Sequence, residues 1–284
     1  MGYPLFLVEN LFSQAQFPAH LLSASEEAAK GEVWRVATGR RSVRDRWTPA
    51  TANVASWVQV KCDVARSADM IALDRGHNLA GVTVSLQYSS DGIAWTTWWS
   101  ATIPAAAGSG SSVDAANGAA TEEGAWLKRF AAPGSPKLYW RLSIPAMGAG
   151  LVPQIVGLWL GTSWQPAHYL GLPFDDDGQT LLVEQSEPTQ AGWRGAGLAA
   201  RGRDGNLAFA LAGEAEYDTR ARTAMLGHFH GKFRPLWIVH DGTGRAERAV
   251  LAVPPPGRMS FAFDTGWHSR QANVAWVEHE PRFT

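Results

Sequence analysis

Arginine and tryptophan carry most of the chemistry this sequence can offer. Arg35, Arg40, Arg41, Arg44 and Arg46 fall within twelve residues and are flanked by Trp34 and Trp47. Guanidinium forks at this density grip carboxylates, sulfates or phosphates bidentately, so the run fits an anionic sugar, a phosphate or an acidic neighbouring subunit. It equally fits a solvated loop whose arginine stems lie along tryptophan faces. A second group, Trp95, Trp98 and Trp99, has the flat N–H-bearing rings that stack on sugars. On a regular strand Trp95 and Trp99 face one side and Trp98 the other, and one of those sides must pack the core. The candidate ligand-binding residues read from the two groups are Trp47, Trp98, Arg44 and Arg46.

Catalytic constellations are absent by motif. There is no His-Glu-x-x-His pattern, phosphate loop or EF-hand spacing. Gly195, Gly197 and Ala200 touch the dinucleotide fingerprint, but no βαβ pattern follows them. His228 and His230 are two residues apart, which on a helix points them in opposed directions. Ser109 sits between Gly108 and Gly110 in a stretch of small residues, not on a strained nucleophile elbow. A glycosidase needs two carboxylates about 5–10 Å apart. Asp175, Asp176 and Asp177 before Gly178 lack the spacing of a calcium loop and read as an acidic turn. Glu278 and Glu280 share a strand face that reads as solvated or subunit-contacting. We therefore assign no catalytic residue, no metal ligand and no cofactor, and expect a protein that is not an enzyme.

The elements that must position these residues are strands. Fourteen tryptophans with 29 glycines and 16 prolines describe a mainly β chain of short strands and many turns. Charged residues at 18% and hydrophobics at 45% exclude disorder and coiled coil for most of the chain. Lys and Arg number 25 against 26 Asp and Glu, so nothing draws the chain globally to nucleic acid. The single cysteine, Cys62, leaves no disulfide framework, and neither a leader nor a membrane-spanning run is expected. Period-two or apolar runs predict strands over 56–62, 70–73, 82–88, 93–103, 126–130, 138–144 and 155–160. Residues 104–124 are small and free of aromatics and predict a long mobile loop. Beyond it, strands are predicted over 180–184, 197–213 with a turn at 203–206, 235–239, 248–253, 259–263 and 273–278. One helix is predicted over 214–231, where Tyr217, Ala221, Ala224, Met225 and His228 share a face.

Within this frame, Phe17 to Gly161 resembles the discoidin-like jelly-roll domains. The resemblance lies in Phe17–Leu22, Val33–Arg35, Trp57–Val60, Gly76–Val84, Ser89–Trp95, Tyr139–Leu142 and Ile155–Leu160. Its core is the order strand, Asn78-Leu79-x-Gly81, strand, Ser90-Asp91-Gly92, Trp95. The cysteine pair that closes domains of that family is missing, and no ligand-binding motif of theirs transfers. Such domains, which bind glycans, lipid headgroups or proteins, look most like those carried by tailed-phage tail proteins. Residues 166–284 are similar, by element order, to tail-tube-like modules of phage distal-tail and tail-tip proteins.

The resemblance implies a mainly β fold with an N-terminal jelly-roll β-sandwich over 17–165. A C-terminal β-sandwich or tail-tube-like module with one α-helix follows over 166–284, and a strand in 1–16 is free to join either. It implies a structural component of a phage tail tip, made in the bacterial host cytoplasm and carried on the virion tail. Its partners would be copies of itself in a ring, other phage tail proteins and a host surface glycan, with no nucleic acid and no membrane insertion. The alternatives are a stand-alone lectin-like β-sandwich and a glycan hydrolase.

Overall fold

The computed structural model describes residues 4–38, 45–108, 111–130, 135–148, 150–166, 168–169, 179–185, 196–211, 223, 229, 235–241, 243–254, 270–278 and 282–283. It divides into two compact units, Met1–Gln165 with Trp237–Ala249, and Pro166–Leu236 with Val250–Thr284.

In the first unit the strands are β1 (Leu5–Leu7), β2 (Leu21–Ala24), β3 (Ser56–Arg66), β4 (Met70–Leu73), β5 (Thr83–Ser89), β6 (Thr96–Thr102), β7 (Ala119–Ala120), β8 (Trp126–Arg129), β9 (Lys137–Ile144), β10 (Leu158–Gly161) and β11 (Ser163–Trp164). A five-stranded antiparallel sheet in the order β2-β3-β9-β5-β6 faces a four-stranded one in the order β10-β4-β8-β7. Strand alternation makes this packing possible. Val58, Val60 and Cys62 of β3, Val84 and Leu86 of β5, and Trp140, Leu142 and Ile144 of β9 all point inward. They share one core with Ile71, Leu73, Trp126, Leu158 and Leu160 of the opposite sheet. The fold is a β-sandwich. Burial pushes the Cys62 thiol up to about 12, as suits a core sulfur.

Strands β4 and β10 are buried along their whole length because the four-stranded sheet is covered on its other side too. There, Trp159 meets Trp237 edge-on at 6.0 Å. Trp237 belongs to the later strand Leu236–Val239, which pairs with β1 in the register Leu5 to Val239, Phe6 to Ile238 and Leu7 to Trp237. β1 also pairs with β11, and Phe6 stacks on Trp164 at 5.4 Å.

The stretch 104–124 departs from expectation. Ala119, Ala120 and Thr121 are themselves buried, and neighbouring side chains hold carbonyls of the stretch. The indole N–H of Trp99 donates to Ala116 O (3.1 Å) and that of Trp126 to Asn117 O (2.8 Å). The buried Lys128 ammonium donates to Asp114 O (3.2 Å), and Arg129 clamps the Asp114 carboxylate at 2.7 and 2.8 Å. Val113 is fully buried, and Ala119–Ala120 form β7. The part of the stretch from Val113 to Ala120 is thus part of the sandwich wall.

The second unit contains β12 (His168–Tyr169), β13 (Gln179–Gln185), β14 (Ala196–Leu211), β16 (Val250–Val253), β17 (Arg270–Glu278) and β18 (Arg282–Phe283), with β15 being the Leu236–Val239 strand already described. β14 is the organising strand and pairs antiparallel with β12, β13, β17 and β18. It runs unbroken through 203–206, where a turn was expected. Gly205 lies opposite Trp276, and a Cβ there would meet the indole at 2.8 Å, so this glycine makes room for a ring instead of turning the chain. Glu278 is buried rather than solvated. The expected helix over 214–231 falls outside the described residues but for Thr223 and Phe229. The expected strand at 259–263, Asp175–Asp177, His228, His230 and Glu280 also fall outside them. No helix among the described residues is long and apolar enough to cross a membrane.

The β4–β5 connection stores a pH dependence. His77 Nδ1 accepts the Leu79 backbone N–H (3.1 Å), while its Nε2 is buried with no partner among the described residues. Burial draws this imidazole down to about 4. An imidazole kept neutral in the fold contributes stability that is complete above about pH 6.5 and is lost as the pH falls toward 4. Between about pH 7.5 and pH 5 the wild type should therefore lose about 2 kcal/mol more stability than His77→Asn, whose amide oxygen can still accept from Leu79. Urea unfolding midpoints at the two pH values measure the difference, and parallel losses in both proteins would contradict it.

Candidate functional site

Packing one face of the five-stranded sheet leaves the other to solvent, and the residues there are not ordinary surface. On β3 the outward set is Trp57, Gln59 and Lys61, and on β9 it is Tyr139, Arg141 and Ser143. Antiparallel register brings Gln59, Arg141 and Gln87 into one cross-strand row, and Trp57, Ser143 and Ser85 into the next. On the β5–β6 side the face continues as a ladder of hydroxyls and amides. Ser85 bonds Ser100 (2.9 Å), Thr83 bonds Thr102 (2.7 Å), and Gln87 Nε2 donates to Thr97 Oγ1 (3.1 Å).

Arg141 is the centre of this face. Its Cζ lies 3.9 Å over the Trp95 ring and 6.0 Å from the centre of Trp57. Its Nε donates to Gln87 Oε1 at 2.6 Å, which fixes the guanidinium plane. Trp95 meets Tyr139 edge-on at 6.4 Å, and Lys61 Nζ lies 5.8 Å from the Tyr139 ring. Partial burial draws Arg141 below its ordinary value, the direction expected of a cation with no carboxylate beside it.

The β5–β6 turn sets Trp95 in place. Asp91 Oδ1 accepts the backbone N–H of Ile93 (2.8 Å) and Ala94 (3.0 Å), and Ser89 Oγ accepts that of Gly92 (2.9 Å). The Ile93 N–H above all, with the Ser89 hydroxyl, holds the Asp91 carboxyl below the usual carboxylate range. Gly92 takes φ +79°, and a Cβ on it would stand 3.0 Å from the Tyr139 ring.

Of the residues singled out from the sequence, Trp95 stands in this site, whereas Trp47, Trp98 and Arg46 lie elsewhere. Trp47 is fully buried, bridged to Ile155, with its indole N–H donating to Glu26 O at 3.1 Å, so it offers no ring face to a ligand. Trp98 is half-buried on Phe130 at 4.3 Å and Trp140 at 5.4 Å. The ladder shifts register between Leu86 and Gln87, so Leu86 opposes Trp99 while Gln87 opposes Thr97. Trp98 is the extra residue of this bulge, which sends both Trp98 and Trp99 toward the core and leaves Trp95 on the outer face. Arg46 donates to Gln154 (2.7 Å) and Arg35 to Asp45 (2.9 Å), both in internal contacts. Arg40, Arg41 and Arg44 lie outside the described residues. Trp57, Tyr139 and Arg141 were missed although the signal was present, since each alternates with core residues in a strand that was itself legible. No cluster of metal-ligating side chains occurs among the described residues.

No protein-family model and no curated protein sequence matches this chain. Among solved structures, it is similar to chitosan-binding module 1 of a chitosanase/glucanase from Paenibacillus sp. IK-5, at 18% identity over 54% of this chain and 98% of the module, with a TM-score of 0.38. It is similar to CBM32-3 of a family 31 glycoside hydrolase from Clostridium perfringens, at 16% identity over 49% of this chain and 90% of that one, with a TM-score of 0.37. A Ruminococcus gnavus GH29 fucosidase in complex with fucose matches at 13% identity over 55% of this chain but 27% of its own, with a TM-score of 0.40. These neighbours include carbohydrate-binding modules, and no residue role is carried over from them.

The Gly92–Tyr139 contact can be tested against an internal control. Gly92 and Gly81 both have φ near +80°, but nothing lies within 4 Å of a Cβ at Gly81. Gly81→Ala should cost the backbone strain alone, about 1 kcal/mol, and Gly92→Ala about 1 kcal/mol more because the Tyr139 ring must move. Equal unfolding free energies for the two variants would mean that the turn does not buttress the site.

Proposed function

We propose that the first unit is a glycan-binding module that works through the outer face of its five-stranded sheet. The carrying observation is the arrangement around Arg141, stacked on Trp95 with Trp57 and Tyr139 beside it. Aromatic faces suit the apolar faces of pyranose rings, while the amides and hydroxyls of Gln59, Gln87, Ser85 and Ser100 suit their hydroxyls. An open sheet face accommodates several sugar units of a chain, whereas an enclosed pocket takes an end. The acid-and-base carboxylate pair of a hydrolase is not among the groups around Arg141, so the proposed activity is recognition without cleavage.

A finer reading rests on the sequence resemblance alone. In it, the module rides on a ring-forming component of a phage tail tip and meets glycans of the host surface. Gold-labelled antibody against the protein should then cluster at the distal end of tailed particles, and unlabelled tails would remove this placement while leaving the binding module.

Glycan binding itself is tested by a polysaccharide panel. Trp57→Ala and Trp95→Ala should each weaken binding at least about tenfold with the melting temperature nearly unchanged. Trp98→Ala should do the reverse, lowering stability by about 3 kcal/mol and leaving the affinity of the folded protein nearly intact. Calorimetric titration and thermal unfolding separate the two. Retained affinity in both outer-face variants would defeat the reading.

A further inference from the structure

Most arginines elsewhere in the first unit have a carboxylate partner, although Arg46 bonds Gln154 and the ammoniums of Lys128 and Lys137 meet backbone carbonyls and the Tyr88 ring, respectively. Arg35 pairs with Glu32 and Asp45, Arg66 with Asp63, Arg75 with Glu123, and Arg129 with Asp114. Arg141 and Lys61 have no carboxylate partner among the described residues. The single hydrogen bond of Arg141 there uses Nε, toward Gln87. Its Nη1 and Nη2 are not among the buried polar atoms that lack a partner, so both reach solvent. The result is a guanidinium whose plane is set by Trp95, whose rotation is set by Gln87, and whose two-nitrogen edge is open. Lys61 stands two residues along β3 from Gln59, the partner of Arg141 across the ladder.

We propose that the ligand of this face is an acidic saccharide chain, with a sugar carboxylate received by the Nη edge of Arg141 and neighbouring negative charge met by Lys61. This rests on the glycan-binding reading and narrows its ligand class. A planar carboxylate matches the fork bidentately, and such charge-assisted bonds are about twice as strong as neutral ones. A neutral glycan would leave both cations partly covered and unpaired, so the face selects against it. Aromatic rings beside the fork, set in a ladder of amides and hydroxyls, favour a saccharide over an acidic peptide.

The experiment is affinity electrophoresis of the full chain through gels carrying polygalacturonate, alginate, hyaluronan or polysialic acid. Carboxyl-reduced polygalacturonate and alginate serve as neutral counterparts, and polyglutamate as a non-saccharide polyanion. At least one acidic polysaccharide should retard the protein, its carboxyl-reduced form or a neutral polymer should not, and added salt should weaken the retardation. Arg141→Gln and Lys61→Gln should each weaken it about tenfold, with Arg141→Lys intermediate because it keeps the charge and loses the fork. Lys61 is exposed, so its variant reports binding even if Arg141→Gln unfolds. Equal retardation by neutral and acidic polymers, lost in Trp57→Ala but kept in Arg141→Gln, would overturn the acidic ligand and leave glycan binding standing. Retardation by polyglutamate as strong as by any polysaccharide would overturn the saccharide. No retardation by any polymer would overturn both readings.

Discussion

Trp140 is where the sandwich and its candidate site meet. Its ring lies 5.4 Å from Trp98 and 5.9 Å from Tyr88, and its indole N–H donates to Arg66 O at 3.1 Å. Trp98 and Trp99 carry the aromatic contact on to Phe130, and Trp99 reaches Trp126 of the opposite sheet at 5.6 Å. Because side chains alternate along a strand, fixing Trp140 inward fixes Tyr139 and Arg141 outward. A slip of one residue would bury a guanidinium and expose an indole, a cost no surface contact could offset. The aromatic core therefore does more than stabilise. It sets the parity on which the outer face depends.

That parity is legible in the sequence. The bounds of β3, β4, β5 and β9 follow the apolar alternation within a few residues, and Trp57 and Arg141 lie in those strands opposite core positions. The arginine run and the tryptophan cluster are more conspicuous by local density, and nothing in one sequence ranks an isolated outward residue above a conspicuous group. The remaining differences have long-range causes. Trp47 is buried because Ile155, far along the chain, bridges to it. Trp98 turns inward because the β5–β6 ladder slips at Leu86, an event with no signature in residue type. The 104–124 stretch is held because its carbonyls meet donors supplied by Trp99, Trp126 and Lys128. Propensity describes what a segment does alone, and these segments are not alone.

The electrostatics of the chain look unremarkable in sum and uneven in place. A net charge of −1 hides differences of place: among the described residues Arg35, Arg66, Arg75 and Arg129 pair with carboxylates, whereas Arg141 and Lys61 on the sheet face do not. Keeping Arg141 uncompensated and partly buried costs free energy, which stacking on Trp95 and the bond to Gln87 only partly offset. Residues kept at such a cost belong to sites more often than to scaffolding.

The pairing of β1 with the Leu236–Val239 strand also bears on the order of events during synthesis. Leu5–Leu7 leaves the ribosome before either sheet is made, whereas Trp237, Ile238 and Val239 leave after the whole of the four- and five-stranded sheets. Until then one edge of β1 has no ladder, and the outer side of Trp159 has no cover. The sandwich can condense early around Trp140, but its back wall closes only after residues 236–239 have been made, through contacts of very high sequence separation and correspondingly slow formation. A nascent or truncated chain ending near residue 165 would carry a bare strand edge beside an uncovered indole, the combination from which misassembly starts.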